Sequence, residues 1–568
     1  MAKQVVVIGA VALGPKAACR FKRLEPESSV IMIDESRIIS YGGCGIPYYI
    51  SGDVSDAREL QSTTFHMVRD ARFFEQVKGV HVLTRTRALE IDRAARQVLI
   101  KDLESGKEDR LNYDKLVLAT GSSPRKISLP GSNLENVFTV SGLEEAVKIK
   151  DSISRGSINR AVVIGAGFIG LEMAEALIDL WGIDTTVVEI APQILPGFTS
   201  MAMSRMAKKV MEDNGVRFLL NEKVLELAGE NSVSGVVTDK RELEADLVVM
   251  AVGVQPNSEL ARQAGLKISN QGAIIVDEYM RTSDPDIYAG GDCVEIANLV
   301  TGKAGYFPLG SMANRQGRVI GTNLAGGQDV FPGAVGSFAV KLFDHGVVGT
   351  GLSLEKAREE GYDALSTFVV QFDKSHFYPD NDLIYLELVF ENNTGRILGL
   401  QGISTNKDGL KGRVDAVAVL LPHQPTTKDI SNLELAYSPP FSSAMDALNN
   451  LGHTAENVLQ GRNKEIGPED FVRLWETRDQ QDIIFLDCRD LENAAEYLQK
   501  YPDKWRNVSN ESMSSNLDKV PRAETIVLVC NTGGRSYESQ LRLRKIGIDN
   551  TLNVSGGMKL LKKWGLDI

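Results

Sequence analysis

The strongest constraint on the fold is a repeated pattern in which an apolar strand runs directly into closely spaced glycines and then into a helix. The first copy, QVVVIGAVALG, leads to the strand SVIMIDE, and the second, NRAVVIGAGFIGLEMAEALIDL, leads to TTVVEI. A later strand in each copy stops on A-x-G, at Ala119–Gly121 and Ala251–Gly253. Strands alternating with helices favour parallel sheets, so the pattern predicts two doubly wound α/β domains, the second nested in the first.

The second copy carries the glycine spacing of a dinucleotide-binding turn. Gly165, Gly167 and Gly170 follow a strand and open a helix, where a pyrophosphate can approach the backbone closely. Glu189 ends the next strand and is placed to accept hydrogen bonds from a ribose 2′-hydroxyl. No arginine follows it to hold a 2′-phosphate, so the sequence favours NADH over NADPH. The predicted set of cofactor-binding residues in this domain is completed by Ile169 and Gly253.

The first copy is less regular. Gly9 and Gly14 hold the outer positions, but Val11 stands where a middle glycine is expected. Asp34 ends the following strand and is the predicted ribose-binding acid, with Glu35 beside it. The later segment TSDPDIYAGGD is expected to return the chain to this first domain.

The remainder of the chain predicts two further domains. Alternating strands such as SFAVKLFD and LIYLELVF, followed by the helical LKGRVDAVAVLL, indicate an α+β domain. The last part, with IIFLDCRD and TIVLVCNTGGRS, indicates a small parallel α/β domain. The expected boundaries are 1–150 with 251–328, 151–250, 329–450, a polar linker over 451–465, and 466–568.

Composition excludes several kinds of partner. The net charge of −12 argues against nucleic acid and anionic membranes, and no apolar run is long enough to predict a membrane span. The five cysteines lie far apart without a C-x-x-C pair, which favours a reducing cytoplasm. The six histidines show no metal-ligand spacing, so no metal is expected.

One cysteine stands out. The stretch ISYGGCGIPYYISGD places Cys44 among glycines, immediately before Ile46 and Pro47. A small-residue loop of this kind can be a tight turn, half of a disulfide, or the setting of a nucleophile.

Taken together, the two glycine turns, the A-T-G at Ala119–Gly121 and the T-x-x-P-x-I-Y-A-x-G-D at Thr282–Asp292 resemble the flavoprotein pyridine nucleotide-disulfide reductases. The resemblance implies FAD on the first turn, contacted by Ala119, Thr120, Gly121 and Asp292, and NADH on the second. It also implies a homodimer with composite active sites.

The cysteine loop narrows the resemblance. Most dithiol members carry C-x4-C, but the fifth residue after Cys44 is Tyr49. A single cysteine after ISYGG is similar to the branch of coenzyme A-disulfide reductases, NADH peroxidases and NADH oxidases. The peroxide- and oxygen-reducing members carry a histidine in the first glycine turn, whereas this turn reads GAVALG, with Ala12, and is similar to that of coenzyme A-disulfide and persulfide reductases.

The same branch implies residues for the substrate. HFYPDND and LELAYSPPFSSAMD resemble the dimerisation segments whose tyrosines reach the partner's cysteine, which makes Tyr378 and Tyr437 candidate catalytic groups; core tyrosines are the competing interpretation. The basic helix after the first turn is expected to contact coenzyme A phosphates, although a solvated face explains it too. Gly43 and Met445 depart from the asparagine and lysine common in the family. The predicted substrate-binding residues are Arg20, Lys22, Arg23 and Ser40.

The C-terminal domain resembles a rhodanese. Cys530 to Arg535 forms a six-residue loop after a strand, in which backbone amides and Arg535 favour a thiolate and a terminal sulfane sulfur. The G-H-I-x-G-A stretch that is usual in rhodaneses is absent. The alternative to a catalytic Cys530 is therefore a relic of a rhodanese or a domain that binds ligands without catalysis.

These features predict an α/β protein with two nested doubly wound dinucleotide-binding domains, an α+β dimerisation domain and a C-terminal rhodanese-like domain. The expected activity is FAD-dependent reduction of coenzyme A disulfide, coenzyme A persulfide or polysulfide by NADH, with Cys44 cycling through a mixed disulfide with coenzyme A. Two alternatives stay open: an NADH oxidase or peroxidase that uses a Cys44 sulfenate, and a redox-sensing sulfur carrier without catalysis.

Overall fold

The computed structural model describes residues 2–125 and 127–568. These residues form two compact units. The first comprises the chain up to Pro192 together with Gly215–Ala334, and the second comprises Gln193–Asn214 and Val335–Ile568. None of the described helices is long and apolar enough to cross a membrane.

The first 334 residues contain two parallel sheets and several short antiparallel ribbons. Their strands and helices are, in chain order, β1 Gln4–Ile8, α1 Leu13–Leu24, β2 Ser29–Ile33, α2 Ile46–Ser51, α3 Ala57–Gln61, α4 Ala71–Phe73, β3 His81–Leu83, β4 Thr86–Asp92, β5 Gln97–Asp102, β6 Glu108–Asn112, β7 Lys115–Leu118, β8 Ser122–Pro124, β9 Val137–Phe138, α5 Leu143–Ser154, β10 Arg160–Ile164, α6 Phe168–Asp179, β11 Asp184–Glu189, α7 Met201–Asp213, β12 Arg217–Leu220, β13 Val224–Gly229, β14 Val233–Thr238, β15 Glu242–Glu244, β16 Leu247–Met250, β17 Val254–Pro256, α8 Glu259–Gln263, β18 Ile274–Ile275, β19 Ile287–Ala289, β20 Val294–Ala297, β21 Ala304–Gly305 and α9 Gly310–Leu324.

The two parallel sheets confirm the nested arrangement. The first has the order β19-β7-β1-β2-β3, and its strand β19 comes from the predicted returning segment. The second has the order β12-β11-β10-β16-β9. Their central strands are almost wholly buried because helices cover parallel sheets on both faces. Each glycine turn therefore lies at the carboxyl end of a central strand, where open α/β sheets bind ligands.

The second unit begins with an antiparallel sheet that confirms the predicted α+β domain. Its order is β22-β23-β26-β25-β24, with α11 packed on β23 and β26 and α13 packed on β24 and β25. Helix α7 contacts β22 and β26 of this sheet, although its sequence position lies within the predicted 151–250 domain. The elements are β22 Phe338–Leu342, β23 His345–Gly351, α10 Leu354–Glu359, β24 Ala364–Phe372, β25 Leu383–Glu391, β26 Ile397–Ser404, α11 Lys407–Leu420, α12 Thr427–Ser431 and α13 Ala447–Leu459.

The chain ends in a five-stranded parallel sheet with helices, as the C-terminal motifs predict. The strand order is β27-β31-β30-β28-β29. The elements are β27 Glu465–Ile466, α14 Pro468–Glu476, β28 Ile483–Asp487, α15 Leu491–Lys500, β29 Trp505–Asn507, β30 Thr525–Val529, α16 Gly534–Lys545, β31 Thr551–Val554 and α17 Gly557–Lys563.

The predicted linker over 451–465 differs from the structure. Residues 451–459 continue α13, which begins after the capping side chain of Asp446. Leu448, Leu451 and Ala455 are buried on one face of this helix, so it packs on the sheet instead of bridging domains in extended form. The polar residues between Leu448, Leu451 and Ala455 make this segment look like a linker in the sequence, although these three residues have helical spacing.

Candidate active sites

The first glycine turn requires glycine at both of its outer positions. A Cβ on Gly9, whose φ is 110°, would lie 2.1 Å from the carbonyl oxygen of Ala119. A Cβ on Gly14 would lie 1.9 Å from the carbonyl oxygen of Gly9. Val11 is half-buried between them. The turn therefore packs the start of α1 closely against the end of β1, and the end of β1 closely against Ala119, which follows β7.

Asp34, the predicted ribose-binding acid, lies across this turn. Its carboxylate accepts hydrogen bonds from the backbone N–H of Ala10 at 2.7 Å and of Ser36 at 2.8 Å. Burial raises the pKa of Asp34 despite these bonds. Its neighbour Glu35 points elsewhere and pairs with Arg87 at 2.9 Å.

The other residues predicted to contact FAD gather beside the same sheet edge. Gly121 has a φ of 65°, and no protein atom lies within 4 Å of its Cβ position. The space beside this glycine is therefore open to a ligand. Thr120 donates its hydroxyl to the carbonyl of Asn257 at 2.6 Å. Asp292 accepts a hydrogen bond from Ser122 Oγ at 3.1 Å, and burial raises the pKa of its carboxyl group.

The second glycine turn repeats this construction. A Cβ on Gly165 would lie 2.4 Å from Ala251 O, and one on Gly170 would lie 2.0 Å from Gly165 O, whereas the Cβ position of Gly167 is open. Ile169 is 38% exposed at the same turn. A ligand therefore has free access to the middle glycine.

Glu189 is buried beside this turn, with only 7% exposed. Its carboxylate accepts hydrogen bonds from the backbone N–H of Ala166 at 2.7 Å and of Ala191 at 2.8 Å. The following Ile190 is 66% exposed and carries no charge for a 2′-phosphate. Gly253, with a φ of 91°, lies against the Arg125 side chain at the end of the adjacent strand.

Cys44 is a free and exposed thiol, so it is not half of an intrachain disulfide. It lies in the short helical turn Gly43–Gly45 before α2. A Cβ on Gly310, the first residue of α9, would be 3.7 Å from Cys44 Sγ, and the backbone N–H of Gly310 acts to lower the pKa of this thiol. The start of a long helix thus faces the sulfur and favours its thiolate.

Two residues that the sequence motifs did not predict lie near Cys44. Glu172 on α6 accepts a hydrogen bond from Tyr48 OH at 3.4 Å, and burial raises the pKa of Glu172 to about 7. Partial burial raises the pKa of the Cys44 thiol, and the carboxylates of Glu172 and Asp292 raise it further. No local motif marks this pair, because the packing of α2 on α6 brings it together.

Two of the basic side chains of α1 that were predicted to bind phosphate are hydrogen-bonded to other groups of the protein. Arg20 Nε donates to Thr322 Oγ1 at 3.1 Å, and Lys22 Nζ donates to the backbone carbonyls of Pro26 and Ser28 at 2.5 and 2.6 Å. Arg23 is exposed, whereas Ser40 is buried with a φ of 51°. Two of the three predicted cations therefore hold α1 in place.

Tyr378 and Tyr437 lie on two loops of the second unit that are bonded to each other. Ser375 N donates to Pro439 O at 3.4 Å, and Ser375 Oγ donates to Ser442 O at 3.3 Å. The two tyrosines are 36% and 50% exposed. The exposed aromatic rings of Phe377 and Phe441 are on these loops too.

Cys530 begins a loop of backbone amides between β30 and α16. Its buried Sγ accepts hydrogen bonds from Gly533 N at 3.1 Å and Ser536 Oγ at 3.2 Å. Gly557 packs behind the loop, where a Cβ would lie 2.5 Å from Cys530 O. The amides and the hydroxyl stabilise negative charge on this sulfur or on a sulfur attached to it.

The guanidinium of Arg535 lies near the carboxylates of Asp490 and Glu511. Cys488 directly follows β28, the strand paired with β30; it is buried, and its burial raises the pKa of its thiol to about 12. Cys488 is therefore held as a neutral thiol.

Two dinucleotide-binding turns, a free cysteine at a helix start and a rhodanese-type loop define a flavoprotein disulfide reductase with an added sulfur-handling domain. The chain belongs to the pyridine nucleotide-disulphide oxidoreductase family, whose model matches residues 3–317. The dimerisation domain of that family matches residues 337–448, and a rhodanese-like domain matches residues 470–563.

Three known proteins resemble the chain over most of their length. The NAD(P)H sulfur oxidoreductase (CoA-dependent) of Pyrococcus abyssi is 36% identical over 446 residues, 78% of this chain and 96% of its own. The solved structure of an NAD-dependent persulfide reductase from A. fulgidus has a TM-score of 0.92 and 38% identity, covering 98% of this chain and 99% of its own. Reduced Bacillus anthracis CoADR-RHD has a TM-score of 0.90 and 30% identity, covering 99% and 98%.

The two cofactors of the family fit the residues present. The open Cβ positions of Gly121 and Gly167 leave space at each turn, and the half-buried Asp34 and the buried Glu189 lie beside the two turns, where dinucleotide-binding folds bind a ribose. FAD and a nicotinamide nucleotide are therefore the cofactors of this protein, and the two turns are the candidate sites for them.

Proposed function

We propose that this chain reduces coenzyme A persulfide, coenzyme A disulfide or polysulfide with NADH, through a mixed disulfide between Cys44 and coenzyme A. The observation that carries the proposal is the free, exposed Cys44 thiol at the start of α9, with the buried Tyr49 where a dithiol enzyme has its second cysteine. A sulfur without a partner in its own loop must take one from the substrate. The CoA-dependent relative from P. abyssi supports coenzyme A as that partner.

The reaction of Cys44 is a thiol–disulfide exchange. With coenzyme A persulfide, the Cys44 thiolate attacks the inner sulfur, the S–S bond breaks, and hydrosulfide leaves while the mixed disulfide forms. FAD, which Asp34 and the open side of Gly121 would hold, would supply the two electrons, taken from NADH, that are needed to cleave this mixed disulfide. Coenzyme A then leaves as a thiolate that takes up a proton, and the Cys44 thiolate remains for the next substrate.

The protein groups around Cys44 set its charge and its proton supply. The N–H of Gly310 and the start of α9 stabilise the thiolate that each cycle regenerates. Glu172 is partly protonated near neutral pH, so it can hold a proton close to the leaving thiol. Of the predicted phosphate contacts on α1, the exposed Arg23 is the side chain that we propose for coenzyme A.

We propose a homodimer in which Tyr378 and Tyr437 of one protomer face Cys44 of the other. Their exposure on bonded loops and the match to the family's dimerisation domain support this arrangement. A phenol near the leaving thiolate can hydrogen-bond or protonate it.

We propose that Cys530 carries sulfane sulfur, with coenzyme A or another thiol moving it between the two cysteines. The amide-lined loop around the Cys530 sulfur supports this role. A purely binding domain would not need a buried sulfur with two hydrogen-bond donors aimed at it.

The test is NADH consumption with each sulfur substrate under anaerobic conditions. Cys44→Ser is expected to abolish it with every substrate while the flavin is still bound, and Cys19→Ser, which alters a half-buried cysteine on α1, is expected to retain it. Cys530→Ser should spare coenzyme A disulfide reduction and impair sulfur transfer. Turnover by Cys44→Ser would refute the mechanism, and rapid peroxide- or oxygen-dependent turnover without a thiol would establish the oxidase instead.

A further inference from the structure

Cys530 is buried, so a sulfur donor has to approach it past the exposed residues of its loop, called here the rim. Thr532 and Gly534 are exposed on this rim, and no atom lies within 4 Å of the Cβ position of Gly534. Arg535 follows directly, with its side chain 31% exposed. A donor that approaches Cys530 along this edge therefore meets Arg535 and its neighbours.

Arg535 lies between two carboxylates. Its Nη1 is 3.8 Å from Asp490 Oδ2 and 3.6 Å from Glu511 Oε1. Asp490 comes from the loop after β28 and Glu511 from the loop after β29, so three separate segments meet here. Two negative charges around one guanidinium leave a net negative charge, and Arg535 is already paired before any anion arrives.

The other arginines near Cys530 are also paired, so they do not supply the free positive charge that Arg535 lacks. Arg489 forms a buried two-pronged pair with Asp487, at 2.9 and 2.7 Å. Arg542 donates to the backbone and side-chain oxygens of Asn510. Lys559 is exposed, and its contact with the loop is through its backbone N–H, which donates to the carbonyl of Asn531.

We propose that Asp490 and Glu511 select the sulfur donor of this domain, admitting thiol persulfides and disfavouring the thiosulfate dianion. The inference rests on the proposed role of Cys530 as a sulfur carrier and names its donor class. Thiosulfate brings two negative charges to its reacting end, whereas a persulfide brings one or none. A pair of carboxylates at the rim repels the dianion more strongly.

The transfer needs no further reactant. The Cys530 thiolate attacks the terminal sulfur of a persulfide R–S–SH, the R–S–S bond breaks, and R–S⁻ leaves as the new Cys530–S–SH forms. With thiosulfate, the same attack would expel sulfite, whose two negative charges would also have to leave past the acidic rim.

The test uses the full-length protein and measures thiocyanate formed from cyanide, with thiosulfate or glutathione persulfide as the donor. The double variant Asp490→Asn/Glu511→Gln removes both charges, and Asp490 makes no capping hydrogen bond that the change would break. Glu524→Gln is the control, because Glu524 is exposed just before the amino end of β30, opposite the loop. We expect the double variant to raise kcat/KM for thiosulfate by about tenfold or more, with a smaller gain at high salt, and to change it for persulfide by less than about threefold.

The outcomes separate this inference from the proposed function. A double variant that uses persulfide but gains nothing with thiosulfate overturns the donor selection alone. A wild-type protein that uses thiosulfate as well as persulfide overturns it too. If neither donor yields thiocyanate, or if Cys530→Ser still forms it, the carrier role of Cys530 fails and the donor selection fails with it.

Discussion

Phe368 donates its backbone N–H to Ser555 Oγ at 3.0 Å, which joins the edge strand β24 of the dimerisation sheet to the rhodanese-like domain. Thr367 Oγ1, on the same strand, donates to Glu465 Oε2 at 2.5 Å, and Ser555 Oγ donates to the same carboxylate oxygen at 3.2 Å. An edge strand with free N–H groups is a site of unwanted pairing, and here the following domain covers it. The rhodanese-like domain is therefore docked through buried polar contacts.

The first prediction concerns the pH dependence of this docking. Burial raises the pKa of Glu465 from its ordinary 4.5 to about 7, so the folded state keeps a proton that the unfolded chain releases. Its contribution to stability is complete below about pH 4.5 and is lost as pH rises towards 7, by an amount on the order of a few kcal/mol. Glu465→Gln cannot ionise and should flatten this slope.

The measurement is urea unfolding between pH 5 and pH 8, followed by tryptophan fluorescence. Three of the four tryptophans, Trp475, Trp505 and Trp564, lie in the rhodanese-like domain, so the signal reports this region. The exposed Glu524→Gln should keep the wild-type slope. An unchanged slope in Glu465→Gln would show that another group causes the pH dependence.

The second prediction concerns Glu172. Its carboxylate raises the pKa of the Cys44 thiol, so Glu172→Gln is expected to lower that pKa while Tyr48 keeps a hydrogen-bond acceptor. The rate of Cys44 alkylation against pH, in protein reduced with NADH, measures the shift. The exposed Glu75→Gln serves as the control and should leave the curve in place. A curve unmoved by Glu172→Gln would remove Glu172 from the environment of Cys44.

The third prediction concerns the choice of nucleotide. Glu189→Gln replaces the carboxylate that we propose for the ribose hydroxyls, and it removes a negative charge that would repel a 2′-phosphate. The KM for NADH should rise by about tenfold with kcat little changed, and the preference for NADH over NADPH should narrow. Steady-state kinetics with both nucleotides tests this. A variant with the wild-type ratio would contradict the assignment of Glu189 to the ribose.

The fourth prediction concerns the partner's tyrosine. Tyr437→Phe keeps the ring and removes the hydroxyl, so turnover should fall by about tenfold or more while the flavin spectrum and the dimer are retained. Stopped-flow kinetics and size-exclusion chromatography measure these separately. Loss of the dimer would assign Tyr437 a structural role, and unchanged turnover would exclude it from the reaction.

Much of the fold was predictable because short patterns encode it. The glycine turns place Asp34 and Glu189 beside their backbones, and the structure finds both acids bonded there. Strand β30, which leads to Cys530, and strand β10 of the second sheet are apolar runs between turn residues. Such runs can be recognised directly from the sequence.

Other features depend on contacts between distant segments and carry no local signal. Glu172 meets Tyr48 only because α6 packs on α2. Arg20 and Lys22 looked free on a basic helix, but Arg20 bonds to Thr322 on α9 and Lys22 folds back on the chain. Glu511, which helps to neutralise Arg535, belongs to no motif at all.

The central claim is that Cys44 takes coenzyme A as its partner, and mass spectrometry of the peptides of the protein tests it most directly. Oxidised enzyme is incubated with coenzyme A disulfide in the absence of NADH, digested and mapped, with Cys44→Ser alongside. We predict one coenzyme A per chain on the Cys44 peptide, absent from Cys44→Ser and released when NADH is added. A wild-type protein that acquires no coenzyme A on Cys44, or that keeps the adduct after NADH is added, would contradict the account.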